Sequence, residues 1–212
     1  PGSGKTAVIT HRTKNLIEKY GVSPSEILVV TFTKAAAMEM KERFLSLTNQ
    51  TSTTATFGTF HAVFFTVLKY AYHYRAENII RDEQKVVFIR NLLRHFPIDY
   101  EDENECIQTL LSEISGVKNS NIPIEHYYSS NFPEHTFRDV FMNYQKMLQK
   151  NRLIDFDDML VYTYELFSQR KDILALWQKK FRYILIDEFQ DINGLQYEII
   201  RMLAAPENNL FV

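Results

Sequence analysis

The sequence predicts an α/β fold: a parallel sheet flanked by helices and interrupted by an all-helical insertion. Three observations carry this. Short apolar runs at 27–32 and 183–187 suit strands buried on both faces. Strand and helix patterns alternate with short connections up to residue 74, and they resume after 156. Between about 75 and 152 only helical periodicity and one loop-like stretch occur, with no strand of the buried kind.

The elements follow in order. Residues 6–20 predict a helix, because Val8, Ile9, Leu16, Ile17 and Tyr20 recur at roughly helical spacing before Gly21. ILVVTF at 27–32 predicts a strand, and 34–47 returns to helix formers. Residues 53–58 predict a second strand, and 60–74 a helix. In the middle, 83–96 places Val86, Ile89, Leu93 and Phe96 on one face, and 104–115 and 135–150 also predict helices. The stretch 119–134 carries Asn, Ser and two prolines and predicts a loop. Helices at 156–168 and 171–180 lead to the strand YILID, then to a helix at 194–204 and a strand beginning in NNLFV. The expected organisation is a first part of one domain over 1–74, an insertion over 75–152 and the domain's continuation over 153–212.

Composition narrows the class. With 45% hydrophobic and 14% aromatic residues the chain can bury a core, which excludes a wholly disordered protein. A net charge of −2 excludes coating of nucleic acid by bulk charge, though not a local groove. The single cysteine, Cys106, excludes an intrachain disulfide, argues against a zinc cluster and suits a reducing cytoplasm. By residue type it fits a small buried apolar position. No apolar run approaches ~20 residues, so no membrane span is expected.

Two motifs carry chemistry. PGSGKT at 1–6 matches the second half of a phosphate loop. Gly2 and Gly4 let the backbone curl so that N–H groups meet phosphate oxygens, with Ser3 as a small loop residue between them. Lys5 supplies a point charge to the β- and γ-phosphates, and Thr6 offers a hydroxyl to Mg²⁺. The helix that follows turns its positive end to the same anion. ILIDE at 184–188 runs an apolar strand into two carboxylates. Asp187 is the expected Mg²⁺ ligand and Glu188 the group that orients or deprotonates the attacking water. The chain opens at Pro1 inside the first motif and stops at Val212 on a strand just begun, and it is expected to be cut at both ends.

Four blocks then point to one family. DEFQD at 187–191, TFTKAAAMEMKERF at 31–44, GTFHAVFFTVLK at 58–69 and IDFDDML at 154–160 resemble, in order, blocks of UvrD/Rep/PcrA-like superfamily 1 DNA helicases. The resemblance implies a RecA-like ATP-binding domain using ATP and Mg²⁺. It places single-stranded DNA against Thr31, Phe32, Thr33, Thr59 and His61, and it makes Gln190 the link between the γ-phosphate and DNA movement. The helical stretch sits where the family inserts its accessory subdomain, and Asp155, Asp157 and Asp158 belong to the block that closes it. The sequence departs from the pattern in two places: Lys34 and Ala35 replace an Asn-Lys pair, and Ala7 stands where an arginine often follows GKT.

Residue type alone leaves other readings open. Phe32 fits a core position after four apolar residues, and His61 fits a structural histidine. Thr31 and Thr33 fit strand-end or capping roles, and the IDFDD acids fit a helix N-terminal charge cluster. For the whole protein the resemblance implies a 3′→5′ translocase of the cytoplasm and nucleoid. It would act in DNA repair, replication or recombination on single strands and single–double strand junctions, with repair partners unspecified. The 212 residues alone are not expected to unwind DNA and are expected to hydrolyse ATP very slowly. The alternatives are the helicase subunit of a helicase–nuclease and a non-catalytic DNA- or partner-binding fragment. A P-loop kinase is disfavoured by the TFT, GTFH and DEFQD blocks.

Overall fold

The computed structural model describes residues 4–96, 98–120 and 122–212, apart from the Lys5 side chain. The chain divides into two compact units, Pro1–Val67 with Thr163–Val212, and Leu68–Tyr162.

The first unit is an α/β layer structure. Helix α1 spans Lys5–Glu18, β1 Ile27–Thr31, α2 Lys34–Thr48 and β2 Thr56–Thr59, and α3, Phe60–Tyr72, begins here. After the helical unit come the rest of α7 (Phe156–Gln169), α8 (Lys171–Lys180), β3 (Tyr183–Ile186), α9 (Gly194–Ala204) and β4 (Leu210–Phe211). The four strands pair in parallel in the order β2-β1-β3-β4. All five residues of β1 are buried, which is why ILVVT lacks polar alternation. Ile27 and Val29 join a core with Ile9 and Leu16 of α1, Met40 of α2 and Leu185 of β3. Leu28 and Val30 point to the other face, where they too are buried. Met40 and Phe44, one turn apart on α2, are fully buried. Removing each from water contributes roughly 1.5–3 kcal/mol.

The second unit is helical: α4 (Asp82–Leu93), α5 (Glu103–Ser120), α6 (Glu134–Lys150) and the start of α7. Among its described residues the one β-type contact is an isolated parallel bridge, Ile79 to Ile154. Ile107, Leu110, Ile114 and Val117 of α5 pack with Ile89 of α4 and with Phe137, Tyr144 and Leu148 of α6. Cys106 lies in this core, as its small apolar character suggests. Among the described residues no helix is long and apolar enough to cross a membrane.

Two sequence expectations shift. The strand expected at 53–58 runs Thr56–Thr59, because Thr53 Oγ1 accepts the Ala55 N–H at 3.1 Å and turns the backbone first. The helix expected at 104–115 continues to Ser120, into the stretch read as loop. Gly116 breaks the propensity pattern there, but Val117 and Lys118 are both buried, and tertiary anchoring overrides local preference. The following loop is fastened by buried Glu113, which accepts from Tyr127 OH at 3.0 Å and Asn131 Nδ2 at 3.1 Å.

Candidate functional site

Strand register brings three of the singled-out groups to one edge. Thr31 of β1 stands opposite Thr59 of β2, and Val30 opposite Ile186 of β3. The residues that follow leave the sheet side by side at its C-terminal edge, where parallel sheets bind ligands. They are Asp187 and Glu188 after β3, Phe32 and Thr33 after β1, and His61 after β2.

On the acidic strand, the Asp187 N–H donates to Val30 C=O at 2.9 Å and carries the ladder one residue past β3. Its side chain is buried. Glu188 takes φ 54° and ψ 46°, the left-handed region, where a Cβ is strained by about 1–2 kcal/mol. The chain then makes the tight turn Phe189–Asp191, with the Asp191 N–H on Glu188 C=O at 2.9 Å. Strain of this kind persists only where the surroundings over-determine it, and it concentrates at functional sites. Gln190 Nε2 donates to Glu188 Oε2, so these two side chains act together.

On the phosphate side, Gly2, Ser3 and the Lys5 side chain lie outside the described residues. Gly4 caps α1 with φ 74° and ψ −5° and no side-chain cap bond. The first-turn amides of a helix have no intrahelical carbonyl to meet, so this helix start is open to an anion. No acidic residue stands in that first turn to repel one. Thr6 lies half-buried within it. Since α1 packs on the sheet and passes into β1 through a short connection, it runs against the strands, and Gly4 faces their C-terminal edge. Gly4→Ala should lower the unfolding free energy by about 1–2 kcal/mol through backbone strain alone, because an added Cβ meets no atom within 4 Å. A Gly4→Ala variant as stable as the parent in urea titration would show that this backbone geometry is not kept in solution.

The residues matched to DNA contacts divide by environment. Thr31 is buried at the end of β1. Thr33 caps α2, its Oγ1 accepting the Ala36 N–H at 3.1 Å, and Thr59 Oγ1 accepts the Ala62 N–H at 3.2 Å at the start of α3. The capping reading of Thr33 therefore holds. His61 is half-buried in the first turn of α3. Phe32 is not a core residue: it is 36% exposed and leans on Phe60 at 5.4 Å between centroids. The residue next to a fully buried strand leaves the sheet at its edge, which apolar neighbours in sequence could not reveal. Arg12 sits over the Tyr20 and Phe211 rings, at 5.9 and 5.8 Å.

The acids of IDFDD form a helix-start structure within the helical unit. Asp155 Oδ1 accepts the Asp158 N–H at 2.8 Å, and Asp158 Oδ2 accepts the Asp155 N–H at 3.0 Å, a reciprocal cap on α7. Lys118, which the sequence does not single out, donates to both carboxylates at 2.6 and 2.7 Å. Its one sequence signal is its place beside Val117 in the heptad-like run that continues from Ile107 through Ile114.

The whole chain is similar in sequence to known proteins. A sequence model described as the UvrD/REP helicase N-terminal domain matches residues 1–212. The chain belongs to this family. Among curated members, a Bacillus subtilis protein named "Putative ATP-dependent DNA helicase YjcD" is 38% identical over 218 residues, covering 99% of this chain and 28% of the relative. The ATP-dependent DNA helicase PcrA of Bacillus subtilis is 34% identical, covering 100% of this chain and 29% of the relative. The PcrA of Staphylococcus aureus is 32% identical, covering 100% and 30%. The UvrD/REP N-terminal domain described here thus spans less than a third of the length of these relatives. Its α/β layer with a parallel sheet is the architecture expected of that domain.

Proposed function

We propose that these residues form the ATP-binding and single-stranded-DNA-binding part of an ATP-dependent DNA helicase. By family, the motor runs 3′→5′ and serves DNA repair, replication or recombination at single–double strand junctions. The observation that carries this reading is the shared sheet edge: register sets Asp187 and Glu188 beside Phe32, Thr33 and His61. The names of the relatives, all DNA helicases, support it.

In this reading the amides of Gly2, Ser3 and Gly4 and the ammonium of Lys5 hold the ATP phosphates at the start of α1. Thr6 and Asp187 hold Mg²⁺. A hydroxyl, a buried carboxylate and phosphate oxygens are the hard donors this ion takes. When bound, Mg²⁺ neutralises charge on the β- and γ-oxygens. Glu188 takes a proton from, or orients, the water that attacks the γ-phosphorus, and its held backbone aims it. Gln190, bonded to Glu188, is placed to pass the state of the phosphate on.

DNA meets the neighbouring strands. Phe32 offers an aromatic face, which stacks on any base and suits a motor indifferent to sequence. Thr33 and Thr59 already accept helix amides on their oxygens, which leaves each hydroxyl proton to donate to a DNA phosphate. Thr31 and His61 complete this surface. The helical unit is read as the accessory insertion expected over 75–152.

ATP hydrolysis by the full-length protein with and without single-stranded DNA tests the reading. DNA should raise the rate, and Phe32→Ala should raise the DNA concentration for half-maximal stimulation about tenfold, within the ~1–3 kcal/mol of one stacked base. A rate indifferent to DNA would sink the translocase reading.

A further inference from the structure

Four side chains, from α5, α6, the start of α7 and the residue that caps it, meet inside the helical unit, and none of them belongs to the site just described. Lys118 on α5, with its side chain 2% exposed, donates to Asp155 Oδ2 at 2.6 Å and Asp158 Oδ1 at 2.7 Å. The two carboxylates are 5% and 0% exposed. From α6, Tyr144 OH donates to Asp155 Oδ2 at 3.2 Å, and its ring lies 5.3 Å from the Lys118 ammonium. The two acids also hold each other's backbone amides. With Lys118 and both carboxyls ionised and the Tyr144 phenol neutral, the cluster has one positive and two negative charges, so one negative charge is buried without an equal partner inside it.

The groups around it do not cancel that charge. Lys85 of α4 acts on Asp155, but it is paired to Asp82 at 3.0 Å. Asp157 adds a further negative charge and takes the Asn119 amide at 2.7 Å. Tyr74, with Arg152 beside it, faces Asp158 as a neutral phenol, held protonated by burial and by that carboxylate. Tyr144 is neutral as well.

We propose that this cluster is a proton-sensitive clasp, which holds α5, α6 and the start of α7 together most firmly when it carries one extra proton and loosens when that proton is lost or a second one is gained. Burial, and next the charge of Asp155, push Asp158 up to about 6. For Asp155, burial is the largest single influence and works in the same direction, but the Lys118 ammonium, the Asp158 amide and Lys85 together outweigh it and hold that carboxyl below its ordinary value. Burial opposes the charge on Lys118, yet the two carboxylates raise it, so the ammonium stays charged throughout.

The two acids act on stability with opposite signs. A carboxyl that binds its proton more tightly when folded stabilises the fold at low pH, and that contribution is lost as pH rises through about 6. Asp155 contributes above the ordinary carboxylate range, and its share is lost as pH falls through its lowered value. Firmest closure therefore lies near the ordinary aspartate value, at pH ~4, and falls away from there towards neutral pH. The proton belongs to the pair, since each acid sets the other's affinity.

Amide hydrogen exchange across pH 5–8, corrected for intrinsic rates, reads the clasp directly. Amides of α5 and of the first turns of α7 should lose roughly tenfold protection between pH 5 and 8, while those of β1 in the other unit should stay level. Asp158→Asn should remove that slope. Protection of α5 independent of pH in the parent protein would overturn the proposal, as would a slope that survives Asp158→Asn. Should that variant not fold, the parent's Asp158 carboxyl carbon can be titrated by NMR: a midpoint near 6 supports the clasp, and one in the ordinary aspartate range refutes it.

Discussion

Lys118→Met should destabilise the helical unit by about 3–5 kcal/mol, the range found when one partner of a buried charge pair is removed. Methionine fills nearly the same volume, so the loss does not come from a cavity. It comes from Asp155 and Asp158, which stay buried and lose donors at 2.6 and 2.7 Å. Their mutual repulsion then has no ammonium to offset it, and the Tyr144 ring loses the cation above it. The two units allow the effect to be located. The single tryptophan, Trp177, lies on α8 in the sheet-containing unit, whereas α4, α5 and α6 lie in the helical one. Circular dichroism in urea should show helix lost early in the variant, with Trp177 fluorescence changing later. Adding Asp155→Asn and Asp158→Asn to Lys118→Met should recover much of the loss, since an uncharged cluster leaves no buried ion and asparagine still caps a helix. A single variant less than about 1 kcal/mol below the parent would show that water reaches the carboxylates and that the cluster is not buried in solution.

Glu188→Gln should lower kcat for ATP hydrolysis by about 10²–10⁴-fold, the usual worth of a positioned general base. Glutamine keeps the size and the left-handed backbone's demands, and it can still accept from Gln190, but it cannot take a proton. KM for ATP should change little, because phosphate and metal contacts rest on the phosphate loop, Thr6 and Asp187. Steady-state kinetics of the full-length protein with saturating DNA measures both. A variant that keeps the parent's kcat would remove Glu188 from the reaction, whereas a large rise in KM at constant kcat would make it a binding group. The φ of 54° at Glu188 bears on the same point, because a strained glutamate at the end of a buried strand is costly to keep for packing alone.

Much of the fold was legible from local pattern. ILVVT had to be a strand covered on both faces, since a run of mostly apolar, mostly β-branched residues without alternation suits neither a solvated sheet nor a helical face. GSGKT before a helix and ILIDE at a strand end named chemistry by residue type, and the order of TFTKAAA, GTFH and DEFQD narrowed it to a family. Each of these features lies within a few consecutive residues, and period and composition are local quantities.

Other features depended on segments far apart in the chain. Phe32 reads as core from its neighbours, yet it emerges 36% exposed because the sheet ends beneath it. Val30 meets Ile186 only through the register of two strands separated by the whole helical unit. Lys118 looks like an ordinary surface lysine near a helix end until α5 is extended and packed. It then meets carboxylates 37 and 40 residues away. A sequence shows where charges and apolar residues stand along the chain. Whether an ammonium is solvated or held between two acids is decided by which distant elements pack around it, because desolvation and Coulomb attraction act through space.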